Sequence, residues 1–281
     1  MKTVTIIGLG LIGGSLAISL QEQGLVTHRI GVDLSAENRQ QALALGLVDE
    51  ASADLAAAVR RADLVVVAVP MDAMLTVLPQ VLDAVDHQVV IDVGSTKSML
   101  LAAVAGHPRR GRFVAVHPMA GTEFSGPAAA VAGLFDDKTL VICDAAQSDA
   151  DAVATVEQLF TRLNMRIEYL DAAAHDLHTA YVSHISHITS FALALTVLKK
   201  EKEEQQIFAL ASGGFASTVR LAKSSPAMWV PIFRQNRVNV LDVLDEHIQQ
   251  LQHLRQLIDA DDAAALHQQI EQANLISKIL K

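Results

Sequence analysis

One short stretch limits the possible folds of this chain more than any other. A β-branched run, Thr3–Ile7, passes directly into Gly8-Leu9-Gly10-Leu11-Ile12-Gly13 and then into an apolar segment that suits a helix. Gly8 permits a tight turn, Gly10 lets the backbone approach a pyrophosphate, and Gly13 allows the helix to pack close to the strand. A helix opening at Leu11 and Ile12 presents free N–H groups and the positive end of its dipole to that pyrophosphate. A glycine pattern alone discriminates poorly. Here it lies between a strand and a helix, and Asp33 closes the next predicted strand 20 residues after Gly13, the spacing of a dinucleotide-binding unit. A carboxylate at that point can accept from both hydroxyls of an NAD ribose and repels a 2′-phosphate, so NAD is the expected cofactor. Arg39, on the following helix, leaves NADP open.

The rest of residues 1–171 repeats the same theme. Strands are predicted at Arg29–Asp33, Leu64–Val69, Val89–Val93, Phe113–Val116, Leu140–Cys143 and Arg166–Leu170, with helical spacing in segments such as Ala36–Leu45 and Ala73–Val85. Continuous apolar strands alternating with helices predict a parallel sheet covered on both faces, an α/β domain of the doubly wound Rossmann type. Ser35 is placed to cap the second helix and Gly46 to end it. After Asp171 no strand is expected. Residues 172–281 predict an all-helical domain, interrupted at Gly213–Gly214, Pro226 and Pro231. Ala180–Leu198 is apolar nearly all round, so burial on most sides is expected. About 110 residues are too few to bury such a helix alone, which predicts a homodimer formed through the helical domain.

The formal net charge of −9 argues against nucleic acid or an anionic membrane as the main partner. Cys143 is the single cysteine, so no disulfide forms within the chain and a reducing compartment fits best. Met1–Lys2 before an apolar run resembles a short signal peptide. Four glycines break that run, however, and the following QEQG offers no cleavage site. With no other stretch of about 18 uninterrupted apolar residues, the expected location is the cytoplasm, with no membrane partner.

In a doubly wound sheet, ligands bind outside the carboxyl ends of the strands. Val69 and Pro70 end one strand there and are expected to line the cofactor crevice. Two polar segments fall at the same edge, Asp92–Lys97 and His117–Gly126. His117 comes directly off a strand, and a neutral imidazole suits removal of a hydroxyl proton as hydride leaves the same carbon. Ser95, on a neighbouring strand end, is placed to hydrogen-bond that imidazole or the reacting hydroxyl. From Ser212 to Leu241 there is no Asp or Glu, yet Arg220, Lys223, Arg234 and Arg237 occur. A basic island in an acidic chain predicts an anionic small-molecule substrate, and arginine grips a carboxylate through both oxygens. His184 and His187 are three apart on one helix. No cysteine or third ligand accompanies them, so no metal is expected.

With these residues in place, the chain resembles the prephenate and arogenate dehydrogenases over nearly its whole length. The resemblance rests on GLGLIGGS at 8–15, GSTK at 94–97, HPMAGTEFSG at 117–126, HDLHTAYVSHISH at 175–187 and GGFASTVRLAKSSPAMW at 213–229. It implies that His117 is the catalytic histidine, supported by Ser95, and that Arg220 holds a substrate carboxylate. It further implies that His187, Thr122 and Glu123 contact substrate, that Gly213 offers a backbone contact, and that Trp229 comes close to the site, in some dimers from the partner subunit. Thr96 departs from a common valine. The implied reaction is oxidative decarboxylation of prephenate with hydride transfer to NAD, in tyrosine biosynthesis; arogenate is the alternative substrate. Some members carry a fused mutase or a C-terminal regulatory domain, and neither is expected within these residues. A β-hydroxyacid-type dehydrogenase shares the layout but usually places a catalytic lysine on its long helix. Ala180–Leu198 has none. A non-catalytic NAD-binding sensor would not need the His117, Ser95 and Arg220 set.

Overall fold

Eight strands build one sheet: β1 (Thr3–Ile7), β2 (His28–Val32), β3 (Glu50–Ser52), β4 (Leu64–Val67), β5 (Val89–Asp92), β6 (Phe113–Pro118), β7 (Thr139–Cys143) and β8 (Arg166–Leu170). The computed structural model describes residues 1–279. The spatial order is β3-β2-β1-β4-β5-β6-β7-β8, so the chain reverses its direction of travel across the sheet between β1 and β4. β1 through β6 run parallel. Their side chains alternate between two cores. Val4, Ile6, Leu64 and Val66 enter one apolar cluster, and Ile7, Val65 and Val67 enter the other. Both faces are thus dry, which is why these strands read as continuous apolar runs.

Two features depart from the sequence reading. β3 is a short edge strand, Glu-Ala-Ser, with too little apolar character to signal itself. The sheet is also mixed, because β7 pairs antiparallel with β6 and parallel with β8. A parallel partner requires a crossover, usually a helix. Between β6 and β7 the chain makes only the short 3₁₀ turn Pro127–Ala129, so β7 returns in the opposite direction. That helix-free connection carries Thr122 and Glu123.

The helices are α1 (Leu11–Glu22), α2 (Ala36–Ala44), α3 (Leu55–Arg60), α4 (Met71–Ala84), α5 (Ser98–Val104), α6 (Ala150–Arg162), α7 (Ala172–Thr179), α8 (Ile185–Glu204), α9 (Gly213–Thr218), α10 (Pro226–Gln235), α11 (Arg237–Asp259) and α12 (Ala263–Ala273). Ser35 Oγ accepts the Asn38 N–H at 3.2 Å to cap α2, and Gly46 follows that helix at φ +68°. The chain forms two compact units, Met1–Asn236 and one beginning at Arg237. In the second, α11 packs on α12. The change to an all-helical chain falls after β8, but α7 through α10 belong with the sheet. Ala172, Trp229 and Ile232 join the apolar cluster on one sheet face, and Gln235 Nε2 donates to the Met71 carbonyl at 2.7 Å.

α7 and α8 are joined by the π-helical turn Ala180–His184 and form one continuous helix, 172–204. Contrary to the burial expected of Ala180–Leu198, Tyr181, Val182, Leu195 and Leu198 are exposed in the single chain. The apolar composition of this helix is therefore not matched by burial within the single chain.

At the carboxyl tip of β5 lies a fully buried ion pair, Lys97 Nζ to Asp92 Oδ2 at 2.5 Å. Lys97 Nζ also donates to the Gly94 carbonyl at 2.7 Å. Asp92 accepts the N–H groups of Gly94 at 2.8 Å and Val116 at 3.1 Å, tying β5 to β6. Removing one partner of such a pair strands a charge in a dry interior. Lys97→Met is therefore expected to lower unfolding stability by about 3–5 kcal/mol, read from the urea midpoint. Adding Asp92→Leu should not restore it, because two backbone donors then lose their acceptor.

Candidate active site

The glycine turn has the shape its spacing implies. Gly8 sits at φ +97°, and a Cβ there would lie 2.5 Å from the Ala68 carbonyl oxygen. A Cβ on Gly13 would lie 2.1 Å from the Gly8 oxygen, so β1, α1 and β4 meet at van der Waals limits. Gly10 is different. Nothing lies within 4 Å of a Cβ built on it, and it starts α1 with no side-chain cap. The first-turn N–H groups at Leu11, Ile12 and Gly13 have no intrahelical acceptor, as at any helix N-terminus.

Asp33, just beyond β2, is held by the N–H of Leu9 at 3.1 Å, the N–H of Ser35 at 2.9 Å and the Asn38 amide at 3.3 Å. Its carboxylate is thereby oriented beside the glycine turn. Arg39 donates to the carbonyls of Asp33 and Leu34 at 2.6 and 3.1 Å. Val69 and Pro70 follow β4, and Pro70 leads into α4. Together these groups fit a dinucleotide laid across the β1/β4 reversal, with donors for a pyrophosphate and a carboxylate for a ribose.

His117 lies near the carboxyl end of β6, at the same edge of the sheet as Gly8, Val69 and Ser95. Its Nδ1 is 2.8 Å from Nε2 of His175 on α7. His175 Nδ1 is 2.9 Å from Asp176 Oδ1. That carboxylate also accepts the N–H groups of Lys97 at 2.8 Å and Ser98 at 2.9 Å. Burial opposes ionisation of Asp176, yet hydrogen bonds from His175, Ser98 and Lys97 hold it below the usual carboxylate range. Burial likewise pushes His117 well below the usual imidazole range, with the positive charges of His175 and His184 when protonated, and of Lys97, adding to the effect. His175 is also lowered by burial, against the opposing pull of Asp176.

Ser95 is half-buried on the loop after β5, and no hydrogen bond links it to His117. Of the two partners open to Ser95, the His117 imidazole is engaged by His175, because Asp176 draws α7 against the Lys97–Ser98 backbone and presents that ring to β6. The Ser95 hydroxyl remains at the crevice edge. The sequence reading took His175 and Asp176 as part of the 175–187 motif but gave them no role beside His117.

A second cluster forms around α8 and α10. His187 stacks on Trp229 with ring centroids 3.5 Å apart. Trp229 is 7% exposed, buried by its own chain, and meets His184 edge-on at 5.8 Å. His187 Nδ1 donates to the Ser183 carbonyl at 3.1 Å, which leaves Nε2 as the acceptor. Burial lowers the His187 pKa, opposed by that hydrogen bond and assisted by the Arg220 charge. Arg220 opens the 3₁₀ turn after α9 and pairs with Glu123 Oε2 at 3.1 Å, linking the helical chain to the loop that leaves β6. The hydrogen bond from its own N–H, with Arg220 and Lys223, keeps Glu123 below the usual carboxylate range. Thr122 Oγ1 accepts the Phe124 N–H at 3.3 Å within the same loop. Gly213 is exposed at the start of α9, with open space where a Cβ would stand. Among the described residues, no cluster of three or more His, Cys, Asp or Glu is arranged to hold a metal.

A helix N-terminus open to a pyrophosphate, an oriented carboxylate after β2 and a neutral histidine at the same sheet edge define a dinucleotide-dependent oxidoreductase site. Comparison with known proteins places it further. Residues 16–169 match the family model of the prephenate dehydrogenase nucleotide-binding domain, and residues 171–272 match that of its dimerization domain. The chain belongs to the prephenate dehydrogenase family. It is 33% identical to the prephenate dehydrogenase of Bacillus subtilis over 94% of this chain and 72% of that protein. It is also 33% identical to the cyclohexadienyl dehydrogenase of Zymomonas mobilis, over 100% of this chain and 96% of that one. A crystal structure of A. aeolicus prephenate dehydrogenase in complex with hydroxyphenyl propionate and NAD+ superimposes with a TM-score of 0.92 at 28% identity, covering 100% and 99% of the two chains.

Four histidines, His175 and His184 buried and His117 and His187 half-buried, make stability depend on pH. Burial pushes His184 to about 4, and His117, His175 and His187 are also lowered. In the unfolded chain each returns to about 6.5. Below that pH the unfolded state binds more protons, so stability falls as the solution is acidified from about 6.5 towards 4. Asp176 adds a separate loss only below about 4, as its carboxylate protonates. Asn236 Nδ2 donates to His184 Nδ1 at 3.2 Å, and protonating that nitrogen breaks the bond. Urea midpoints at pH 7, 5.5 and 4.5 should fall steadily. In His184→Gln the slope should flatten by up to about 1.4 kcal/mol per pH unit.

Proposed function

We propose that this protein is an NAD-dependent prephenate dehydrogenase acting in tyrosine biosynthesis. It binds NAD across the β1/β4 crevice and converts prephenate to 4-hydroxyphenylpyruvate and CO2. The observation that carries this reading is His117, a neutral imidazole fixed at the strand end beside the dinucleotide turn, in a family that oxidises a cyclohexadienol. NAD, when bound, supplies the acceptor for the hydride.

The residues of the chain divide the remaining work. Gly10 and the first-turn N–H groups at Leu11, Ile12 and Gly13 receive the pyrophosphate, and Asp33 receives the ribose hydroxyls. Asp33 also disfavours a 2′-phosphate. Arg39, engaged with two carbonyls, offers that phosphate little. His117 takes the ring hydroxyl proton as the carbon beneath it becomes a carbonyl, and Ser95 is placed to hydrogen-bond the same hydroxyl. Loss of the ring carboxylate as CO2 then makes the ring aromatic, which drives the step forward. Arg220 holds a substrate carboxylate by exchanging it for Glu123. His187 offers Nε2 beside it, Trp229 fixes the His187 ring, and Thr122, Glu123 and Gly213 border the pocket. Glu123 does not separate the two acids, so arogenate stays the alternative substrate.

The exposed apolar side chains Tyr181, Val182, Leu195 and Leu198 fit a homodimer built on α7–α8, with residues 1–171 binding nucleotide and 172–281 serving substrate and dimer. By length and composition, helix 172–204 could also cross a membrane. His175, Asp176 and His184 on it are buried and hydrogen-bonded within the chain, which favours a protein interface and a cytoplasmic enzyme. Leu195→Glu with Leu198→Glu should yield monomers in light scattering.

Absorbance of reduced nicotinamide, followed with prephenate and arogenate and with NAD and NADP, tests the whole reading. Turnover of neither acid while NADH still binds would overturn it. His117→Asn should lower kcat about 10²–10⁴-fold with little change in KM. Arg220→Ala should raise KM for prephenate about 10–100-fold, as expected for losing a charged hydrogen-bonded pair.

A further inference from the structure

The catalytic reading leaves one buried constellation without a task. His175 and Asp176 touch neither the dinucleotide turn nor the Arg220 cluster, yet both are nearly inaccessible to solvent. They stand in line behind His117: Nδ1 of His117 to Nε2 of His175 at 2.8 Å, then Nδ1 of His175 to Oδ1 of Asp176 at 2.9 Å. A two-residue structural tie would not require a second imidazole at hydrogen-bonding distance and edge-on to the first.

The protons in this line follow from one end. The Asp176 carboxylate accepts two backbone N–H groups, at 2.8 and 2.9 Å, and an ionised carboxylate has no proton to give. His175 Nδ1 must therefore carry the hydrogen and donate it. A neutral His175 then has only a lone pair on Nε2. His117 Nδ1 must in turn carry a hydrogen and donate it to His175. That assigns the free lone pair of His117 to Nε2, the nitrogen to which no hydrogen bond is made among the described residues.

We propose that His175 is a positioning residue that, backed by Asp176, locks His117 in the tautomer with a basic Nε2 and stabilises the imidazolium formed there during turnover. The inference rests on the reading of His117 as the base. The step balances simply. The substrate O–H bond breaks and an Nε2–H bond forms, while the hydride leaves the same carbon for the nicotinamide as a C=O bond forms. His117 then carries one positive charge. Its Nδ1–H remains donated to His175, whose own Nδ1–H points at the negative Asp176, so the new charge faces an oriented chain ending in an anion. No proton need pass beyond His117. Left unsupported, a neutral imidazole populates both tautomers, and only one of them can act.

The other groups around the pair do not supply this support. From the β5 tip, Lys97 opposes a positive charge on His117, but its own charge is balanced by Asp92. From β7, the Cys143 thiol is buried with its pKa pushed up to about 12 and stays neutral. On the π-helical turn, burial keeps His184 neutral, and its Nδ1 accepts from Asn236. Asp176 is the anion at the end of the line, and His175 is the connection to it.

The test compares His175→Leu, His175→Gln and His117→Asn in the full-length protein, with prephenate and NAD. His175→Leu should lower kcat about 10²-fold while KM for prephenate changes less than threefold. Its acidic limb in the pH–rate profile should move to lower pH, because the imidazolium has lost its support. His175→Gln keeps an acceptor for His117 and a donor for Asp176, and should recover at least tenfold of the loss. In ¹⁵N-histidine spectra at neutral pH, His117 should show an unprotonated Nε2 in the wild type and a tautomer mixture in His175→Leu. A wild-type acidic limb, or a His117 tautomer unchanged in His175→Leu, would overturn the proposal. So would equal loss in the Leu and Gln variants, which would mark a packing role only. If His117→Asn itself keeps full kcat, the reading of His117 as base fails instead.

Discussion

The carboxylate of Asp176 is the point on which the geometry of the site depends. Its two oxygens accept the backbone N–H groups of Lys97 and Ser98 and face the His175 ring, while its main-chain carbonyl accepts Asn236 Nδ2 at 2.6 Å. One residue thus joins the loop after β5, the start of the long helix and the end of α10. Lys97, His175 and Asn236 are buried, so each of their groups would cost on the order of 1–3 kcal/mol if left unpaired. The alternatives to this arrangement are therefore poor. The long helix cannot slide along the sheet without breaking several such bonds at once, and His175 cannot leave β6 while Asp176 stays in place.

Around that anchor the polar interior is arranged in series. Asp92 fastens β5 to β6, Lys97 neutralises Asp92, the Lys97 backbone fastens Asp176, and Asp176 orients His175 towards His117. A buried charge is tolerable only when paired and hydrogen-bonded, and here each group meets that requirement through the next. Position therefore passes from the sheet, which is rigid, to the His117 imidazole, whose far nitrogen is free.

Much of this was legible from the amino-acid order, for identifiable reasons. Strands such as Thr3–Ile7 and Leu64–Val67 announce themselves because both sheet faces select apolar or β-branched residues over a fixed length. Gly8, Gly13 and Asp33 are legible because backbone sterics and ribose chemistry impose fixed spacings. The reversed direction of β7 was not, since direction depends on the absence of a crossover helix and not on any residue within the strand. Ser95 was a reasonable partner for His117 by proximity along the sheet edge. The true partner, His175, lies 58 residues away, and nothing local in the chain states which buried side chain a helix will turn towards a strand. The helix Ala180–Leu198 shows the converse case. Its composition reports a buried environment, and the single chain leaves it exposed at Tyr181, Val182, Leu195 and Leu198.

The electrostatic character of the site falls into two halves, and the proposed chemistry needs both. Around His117 the groups are dry. Burial keeps His117, His175 and His184 towards their neutral forms. Around Arg220 the surroundings are wet and charged, with the arginine side chain 53% exposed and paired to Glu123. The substrate proposed above, a small acid with an uncharged hydroxyl, matches this division: in that reading its carboxylate would exchange with Glu123 where water can assist, while its hydroxyl would enter the region where a base must stay unprotonated. Reversing the halves would fail on both counts. A solvated histidine would gain a proton at mildly acidic pH, and a buried arginine would hold Glu123 too tightly to release it, because an ion pair strengthens steeply as the surrounding dielectric falls. The order in which β6 delivers His117 first and Glu123 six residues later, on a loop free of helix, places one carboxylate near water and one imidazole away from it.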